Sequence, residues 1–283
     1  MRRTTSIICA LTLGVVIAIA GTIAWRDTFT VTLNNAEVPV PGLTREVRIL
    51  HASDLHGVTF GAGQNGIAAV LGEQHFDAAV INGDHIPTED AGFAPVLELL
   101  DVLQDHADVV FVTRGNHDTT EVIDALASHG AVVIEAGAEA VPFAARAGRL
   151  IVTPAHDARG VPTDADLVLR IGHYPLSPGA ITAAADGHVG TSLFLFGHAH
   201  GGQIRLPLVG ALWAPGEVGS HGRPVPRANG DNFLPEIRGR ELSGMSRVGG
   251  SYRHISSGLG TQAIRLRFLA PAEMTVITLV PEV

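Results

Sequence analysis

The hydrophobic pattern divides the chain near residue 26. Before that point residues 7–25 are apolar apart from Thr12, Thr22 and small residues, with Arg2 and Arg3 ahead of the run and Arg26 and Asp27 closing it. Crossing a bilayer takes about 20 apolar residues, whereas the apolar part of a cleaved export signal has roughly 7 to 15. The length predicts a membrane anchor over residues 1–26, with cleavage near Ala18-Ile19-Ala20 as the alternative. Two arginines before the run and one after it place the amino terminus in the cytoplasm and the rest of a single-pass protein outside the cell membrane. Cleavage would instead make it a secreted protein. A Pro-containing linker is expected over residues 27–44.

From residue 45 to 283 the pattern changes to short apolar runs alternating with segments of helical period. Residues 47–52, 78–81 and 109–113 read as strands, and 65–74, 94–103 and 120–128 as helices. Residues 150–153, 167–171, 192–196, 252–255, 264–268 and 274–279 add further strands. The alternation predicts one large α/β domain, leaning towards α+β in its second half, of a size that supports a full core.

Composition changes this picture little. Cys9 is the only cysteine and lies in the anchor, so the domain has no disulfide and no thiolate ligand. All 19 basic residues are arginine, the net charge is -9, and no basic cluster is visible, which argues against a general nucleic-acid surface. A phosphate substrate stays open, because a bound metal dominates its local field.

The chemistry sits at the ends of apolar runs. Ser53-Asp54-Leu55-His56-Gly57 follows the first, Asn82-Gly83-Asp84-His85 the second, and Gly115-Asn116-His117-Asp118 the third. Later runs end in Gly172-His173-Tyr174-Pro175 and in Gly197-His198-Ala199-His200-Gly201-Gly202. In open α/β sheets ligands gather beyond the carboxyl ends of strands. Taken singly, Asp54 and Asp84 also read as helix caps, Asn116 as a turn residue and Asp118 as an N-cap. His173 reads as a core histidine, and His198 with His200 as a surface pair. Taken together they make a set of nitrogen and oxygen donors suited to Mn, Fe or Zn, with no soft sulfur. A His-x-His pair in a loop can aim at two neighbouring ions.

The order Asp-x-His, Gly-Asp, Gly-Asn-His-Asp, His, Gly-His-x-His resembles the calcineurin-like metallophosphoesterases. Gly197 to Pro207, with Ser257-Gly258-Leu259-Gly260, Arg265 and Glu273, is similar to their bacterial membrane-anchored branch, which includes enzymes acting on UDP-2,3-diacylglucosamine. The resemblance implies a four-layer αββα sandwich of two mixed sheets. It also implies that Asp54, His56 and His200 bind one divalent ion, that Asn116, His173 and His198 bind the other, and that Asp84 bridges them. A metal-held hydroxide would attack a phosphomonoester, phosphodiester or pyrophosphate. His117 would donate a proton to the leaving oxygen, with Asp118 orienting its ring.

Two features depart from the family pattern. Pro87 stands where many relatives have an acidic residue, with Glu89 and Asp90 beyond it, and His85 beside Asp84 has no assigned part. Residues 209–248, rich in Gly and Pro and holding Trp213, His221 and four arginines from Arg223 to Arg240, read as a functional loop able to meet a phosphate or lipid head group. The expected partners are a small or lipid-linked phosphoester and the membrane. The alternative class is a membrane-tethered metal-binding scaffold without turnover, against which the spare donor His117 argues.

Overall fold

A computed structural model of the chain describes residues 2–156, 160–214, 234, 241–262 and 264–282. Along the chain come α1 (Arg2–Phe29), β1 (Val31–Pro41), β2 (Val47–Ser53), α2 (Asn65–Leu71), β3 (Ala78–Asn82), α3 (Ala94–His106) and β4 (Val110–Thr113). Next are α4 (Thr120–Ser128), β5 (Val132–Val133), β6 (Val141–Phe143), β7 (Leu150–Pro154), β8 (Leu167–Ile171), α5 (Pro178–Ala185) and β9 (Thr191–Phe196). The chain finishes with β10 (Arg205–Leu206), β11 (Gly210–Ala211), β12 (Gly244–Val248), β13 (Ser251–Ile255) and β14 (Ala272–Glu282).

Two six-stranded mixed sheets face one another. The first has the order β1-β14-β2-β3-β4-β5 and the second β12-β13-β9-β8-β7-β6. Alternation along each strand divides its side chains between two layers. On β2, Val47 and Ile49 enter the inter-sheet core with Val80, Phe111, Leu169, Leu195 and Ile277. Leu50 and Ala52 face the other way, against Leu99, Leu103, Val122 and Leu126 of α3 and α4. Helix α3 buries Val96, Leu99, Leu100 and Leu103, one stripe of a 3.6-residue period, and Pro95 in its first turn needs no N–H partner. On the outer face of the second sheet, Ile181 of α5 packs with Phe194 and Phe196. The result is the expected α/β sandwich of two mixed sheets and helices, with one apolar helix ahead of it.

Three readings from the sequence are corrected. Part of the expected linker, 27–44, is strand β1, which pairs in parallel with β14 along all 11 of its residues and buries Val38 and Val40. Its prolines hid it, but an edge strand tolerates Pro39 and Pro41 because only one side of the backbone is paired. Residues 264–268 are not a strand and make only an isolated bridge, between Phe268 and Ile204. The first domain helix stops at Leu71, where Gly72 takes φ 59°. Helix α5 and strands β5, β6 and β12 carry too few periodic positions to stand out.

Helix α1 is apolar over Ser6–Phe29 and almost wholly exposed, long enough to cross a membrane. Its end is pinned to the domain. The Arg267 amide donates to Thr28 Oγ1 (2.8 Å) and the Leu269 amide to Asp27 Oδ2 (2.7 Å). Arg267 itself is fully buried and donates to the carbonyls of Ser257, Gly260 and Ala270, which holds the 257–270 loop in shape.

Candidate metal centre

Five parallel strands deliver the site. Asp54 follows β2, Asp84 follows β3 and Asn116 follows β4 in the first sheet, while His173 follows β8 and His198 follows β9 in the second. The facing sheets bring these ends together. Asp54, His56, Asp84 and His200 converge so that their ligand atoms all lie within 4.8 Å of one another, and Asp84, His173 and His198 do the same. Asp84 belongs to both groups. Its Oδ2 lies 3.5 Å from His56 Nε2 and 3.2 Å from His173 Nε2.

The turns that carry these residues are strained. Asp54, His56, Asp84, His198 and His200 all take φ between 47° and 66°, the left-handed region that non-glycine residues avoid. Each such residue costs of order 1–3 kcal/mol, and such strain gathers at functional sites. Backbone bonds fix the carboxylates from behind: the His198 amide donates to both oxygens of Asp54 at 3.0 Å, and the His117 amide to Asp84 Oδ1 at 3.0 Å. The packing admits no side chain behind them. A Cβ on Gly115 would lie 2.1 Å from the Asp84 nitrogen, and one on Gly197 would lie 2.4 Å from Asp54 Oδ2.

The donor atoms fit metal ions. His173 Nδ1 donates to the Asn82 carbonyl at 3.1 Å, which turns its Nε2 lone pair towards Asn116 Oδ1 (3.2 Å), His198 Nδ1 (3.1 Å) and Asp84 Oδ2. His56 Nε2 and His200 Nε2 meet at 3.2 Å on the other side of Asp84. Asp84 Oδ2 is buried and, apart from the His173 ring nitrogen at 3.2 Å, has no hydrogen-bond partner. Electron-rich atoms gathered this closely call for positive charge between them. The titration behaviour agrees: burial alone would lower His173, yet the Asp84 and Asp54 carboxylates outweigh it and push it up to about 9. Burial also pushes Asp54 up to about 6, against the pull of His173. Asp84 is held well below the usual carboxylate range, since His173 and His56 overcome its burial. Burial lowers His56 to about 4.

The residues around the centre differ from expectation. Asp118 does not orient His117. Its Oδ2 accepts from His85 Nδ1 (2.7 Å) and the Gly115 amide (2.8 Å), and its Oδ1 from the His85 amide (2.7 Å). This gives His85 its part, as a buried strut tying the Asp84 turn to the Asn116 turn. His117 Nδ1 instead donates to the Pro87 carbonyl (3.0 Å), so its Nε2 is the nitrogen free to exchange a proton. That Nε2 lies 3.2 Å from the amide nitrogen of Gln262, and the His117 ring stands 5.0 Å from that of His56. Pro87 thus contributes a carbonyl at the position of the missing acid, while Glu89 and Asp90 are exposed. Gln262 carried no signal in the sequence. Tyr174, whose ring packs against His173 and His198, stood in the motif but was given no part.

An apolar cavity of about 190 Å³ adjoins the centre, walled by His200, Gln203, Ile204, Leu212, Trp213, Gln262 and Ile264. Ile204 is also a wall of a groove between α1 and the domain, completed by Trp25, Phe29, Leu266 and Phe268. Leu206, Leu208, Trp213, Ile264 and Leu266 are exposed around it. His221 and the arginines from Arg223 to Arg240 lie outside the described residues.

Fold and site together define a two-sheet α/β protein with a buried ligand set for divalent ions. No family model matches the chain. A Bacillus subtilis (strain 168) protein named uncharacterized metallophosphoesterase YkuE is 34% identical over 88 residues, which is 31% of this chain and 24% of that protein. The chain therefore matches about a quarter of the length of that curated relative. Among solved structures, a phosphopantetheinyl hydrolase from Mycobacterium tuberculosis aligns with TM-score 0.37 and 13% identity, over 82% of this chain and 96% of the other. A 5'-nucleotidase from Candida albicans aligns with TM-score 0.41 and 12% identity, over 78% of this chain and 47% of the other. Both scores are low, so the fold stands on this chain's own sheet topology.

Proposed function

We propose that this chain is a dinuclear metal-dependent phosphoester hydrolase held at a membrane by α1. The observation that carries it is the convergence of two donor groups on Asp84, whose buried Oδ2 sits between the His56 and His173 ring nitrogens. Asp54, His56 and His200 would hold one ion, and Asn116, His173 and His198 the other, with Asp84 shared. Mn, Zn and Fe all suit these donors. Two such ions supply charge that offsets phosphoryl oxygens and lower the pKa of water towards neutrality. Among this chain's own groups, His117 would act as the imidazolium, keeping Nδ1–H on the Pro87 carbonyl while it passes the Nε2 proton to the leaving oxygen. The Pro87 carbonyl holds Nδ1–H before and after the transfer, and the Gln262 amide nitrogen, which can donate only to the unprotonated Nε2, gives way when that nitrogen carries its proton.

The substrate we favour carries a hydrophobic chain. The cavity beside His200 is apolar, shares Ile204 with the groove along α1, and is rimmed by exposed Trp213, Ile264 and Leu266. Exposed apolar rims of this kind mark surfaces that meet a membrane or partner. Asp27 and Thr28 pin α1 to the 267–269 segment, so an α1 that spans a bilayer would hold the mouth of the site beside it, on the extracytoplasmic side if the arginine pattern sets the orientation. The test is metal content and hydrolysis of chromogenic phosphomonoesters and phosphodiesters by the full chain in detergent. Turnover restored by Mn or Zn after chelation and lost in Asp84→Asn supports the hydrolase. Two bound ions with no turnover on soluble or vesicle-borne phosphoesters would favour a metal-binding scaffold.

A further inference from the structure

A second polar pocket, of about 340 Å³, opens on the outer face of the second sheet, between the 186–190 loop and the first residues of β9 and β13. Buried polar atoms gather there with their hydrogen-bonding capacity unused. Ser192, 2% exposed, lines the pocket, and its Oγ has no partner. Both ring nitrogens of His188, another lining residue, are buried, with the Thr191 backbone close enough to favour the protonated ring and no side chain bonded to either. Arg170 of β8, 1% exposed, does not itself line the pocket but stands in the layer beneath it, with Nε and Nη1 unsatisfied. In the β8–β9 register Arg170 lies beside Phe194 and Val168 beside Ser192. Arg170 and Ser192 therefore project from one face, a diagonal step apart, with the guanidinium 5.6 Å from the Phe194 ring.

Among the described residues no carboxylate offsets this buried charge, and burial pushes the guanidinium down to about 10. Its field reaches His188, which burial and Arg170 together hold below the ordinary imidazole value. A buried charge without a counterion is strongly destabilising. Water filling the pocket would satisfy hydrogen bonds but would leave the charge unpaired. The one acidic lining residue, Asp186, is exposed at the rim, and its Oδ1 accepts from the Gly187 amide at 3.1 Å.

The geometry points to a second ligand site, separate from the metal centre, in which a small phosphate-type oxyanion pairs with Arg170 and accepts hydrogen bonds from His188 and Ser192. Donors arriving from two strands and a loop suit a tetrahedral oxyanion, and guanidinium is the side chain best matched to phosphate. The site does not depend on the proposed hydrolysis.

The test is thermal unfolding of the metal-loaded full chain in detergent, at constant ionic strength, across inorganic phosphate concentrations. A ligand that binds only the folded state raises Tm by mass action. Phosphate is expected to stabilise wild type and Asp84→Asn alike at this site, and the increment is expected to vanish in Arg170→Met, His188→Ala and Ser192→Ala. Arg170→Met is also expected to raise Tm in phosphate-free buffer, because it removes an unpaired buried charge. If Arg170→Met fails to fold, Arg170 is structural and the site is overturned. A phosphate response lost in Asp84→Asn but kept in His188→Ala and Ser192→Ala would place the anion at the metals and overturn it too, as would no response in wild type. Glycerol phosphate in place of phosphate separates the sources. An equal Tm rise assigns a phosphate carried on a larger molecule, and none assigns the free ion.

Discussion

His51 of β2 and His254 of β13 meet between the two sheets, Nδ1 to Nδ1 at 2.8 Å, with exposures of 0% and 2%. A contact that short holds one hydrogen, so one ring donates, the other accepts, and both are neutral. Burial lowers His254 from 6.5 to about 4, and burial with the His254 neighbour takes His51 well below its ordinary value. The unfolded imidazoles protonate near 6.5, so below that pH the unfolded state binds more protons. The His254 contribution is therefore whole above about pH 7, falls as pH drops between 6.5 and about 4, and then levels off, while the His51 contribution falls from the same point. For His254 alone the linkage amounts to about 2 kcal/mol between pH 7 and pH 5, and about 3 kcal/mol over the full window. The perturbation is His51→Leu, His254→Leu and the pair together. The assay is urea unfolding of chelated protein at pH 7 and pH 5, so that metal release does not enter. Each single replacement orphans its partner and is expected to cost about 1–3 kcal/mol at pH 7, with the double costing less than the sum of the two. Between pH 7 and pH 5 the double should lose at least about 2 kcal/mol less than wild type. An unchanged pH dependence in the double would refute a neutral pair.

Other perturbations separate the parts of the metal site. His117→Ala should lower turnover about 10²–10⁴-fold while two ions per chain remain, as metal analysis would show. Asp118→Ala removes the strut under both turns and should weaken metal affinity about 10–100-fold, measured by chelator competition, whereas a ring-orienting part for Asp118 would spare metal affinity. Gly115→Ala pushes a methyl group onto the Asp84 backbone and should abolish metal retention, whereas a stably metal-loaded variant would show that the turn can yield. If the rim meets a bilayer as proposed, Ile264→Asp with Leu266→Asp should cut hydrolysis of a vesicle-borne phosphoester at least about 10-fold and spare a soluble one, because charge there opposes contact.

The seven candidate ligand residues were legible because they stand just past five apolar runs, and a strand end fixes where the next few side chains stand. The same locality failed one shell further out. Asp118 sits next to His117 in sequence, and adjacency suggested that they pair. In the fold Asp118 turns to His85, 33 residues away, while His117 meets Pro87 and Gln262. Strand β1 was hidden because its prolines and its exposed outer positions mimic a linker, and its partner β14 lies at the far end of the chain. The 264–268 segment misled in the opposite sense, since its alternating apolar residues form a rim beside α1 and pair with no strand.

The sequence by itself determined the apolar helix and the α/β alternation and offered seven candidate nitrogen and oxygen donors, all of which rest on periodicity and on residues within a few positions of one another. Only the tertiary structure decided how near Asp84 stands to both donor groups, that His85 braces Asp118, that an apolar cavity beside the centre shares Ile204 with a groove along α1, and that Arg170 is buried with no carboxylate beside it among the described residues. Those outcomes depend on which strands face each other across the inter-sheet core, and a register between distant segments leaves no trace in local pattern.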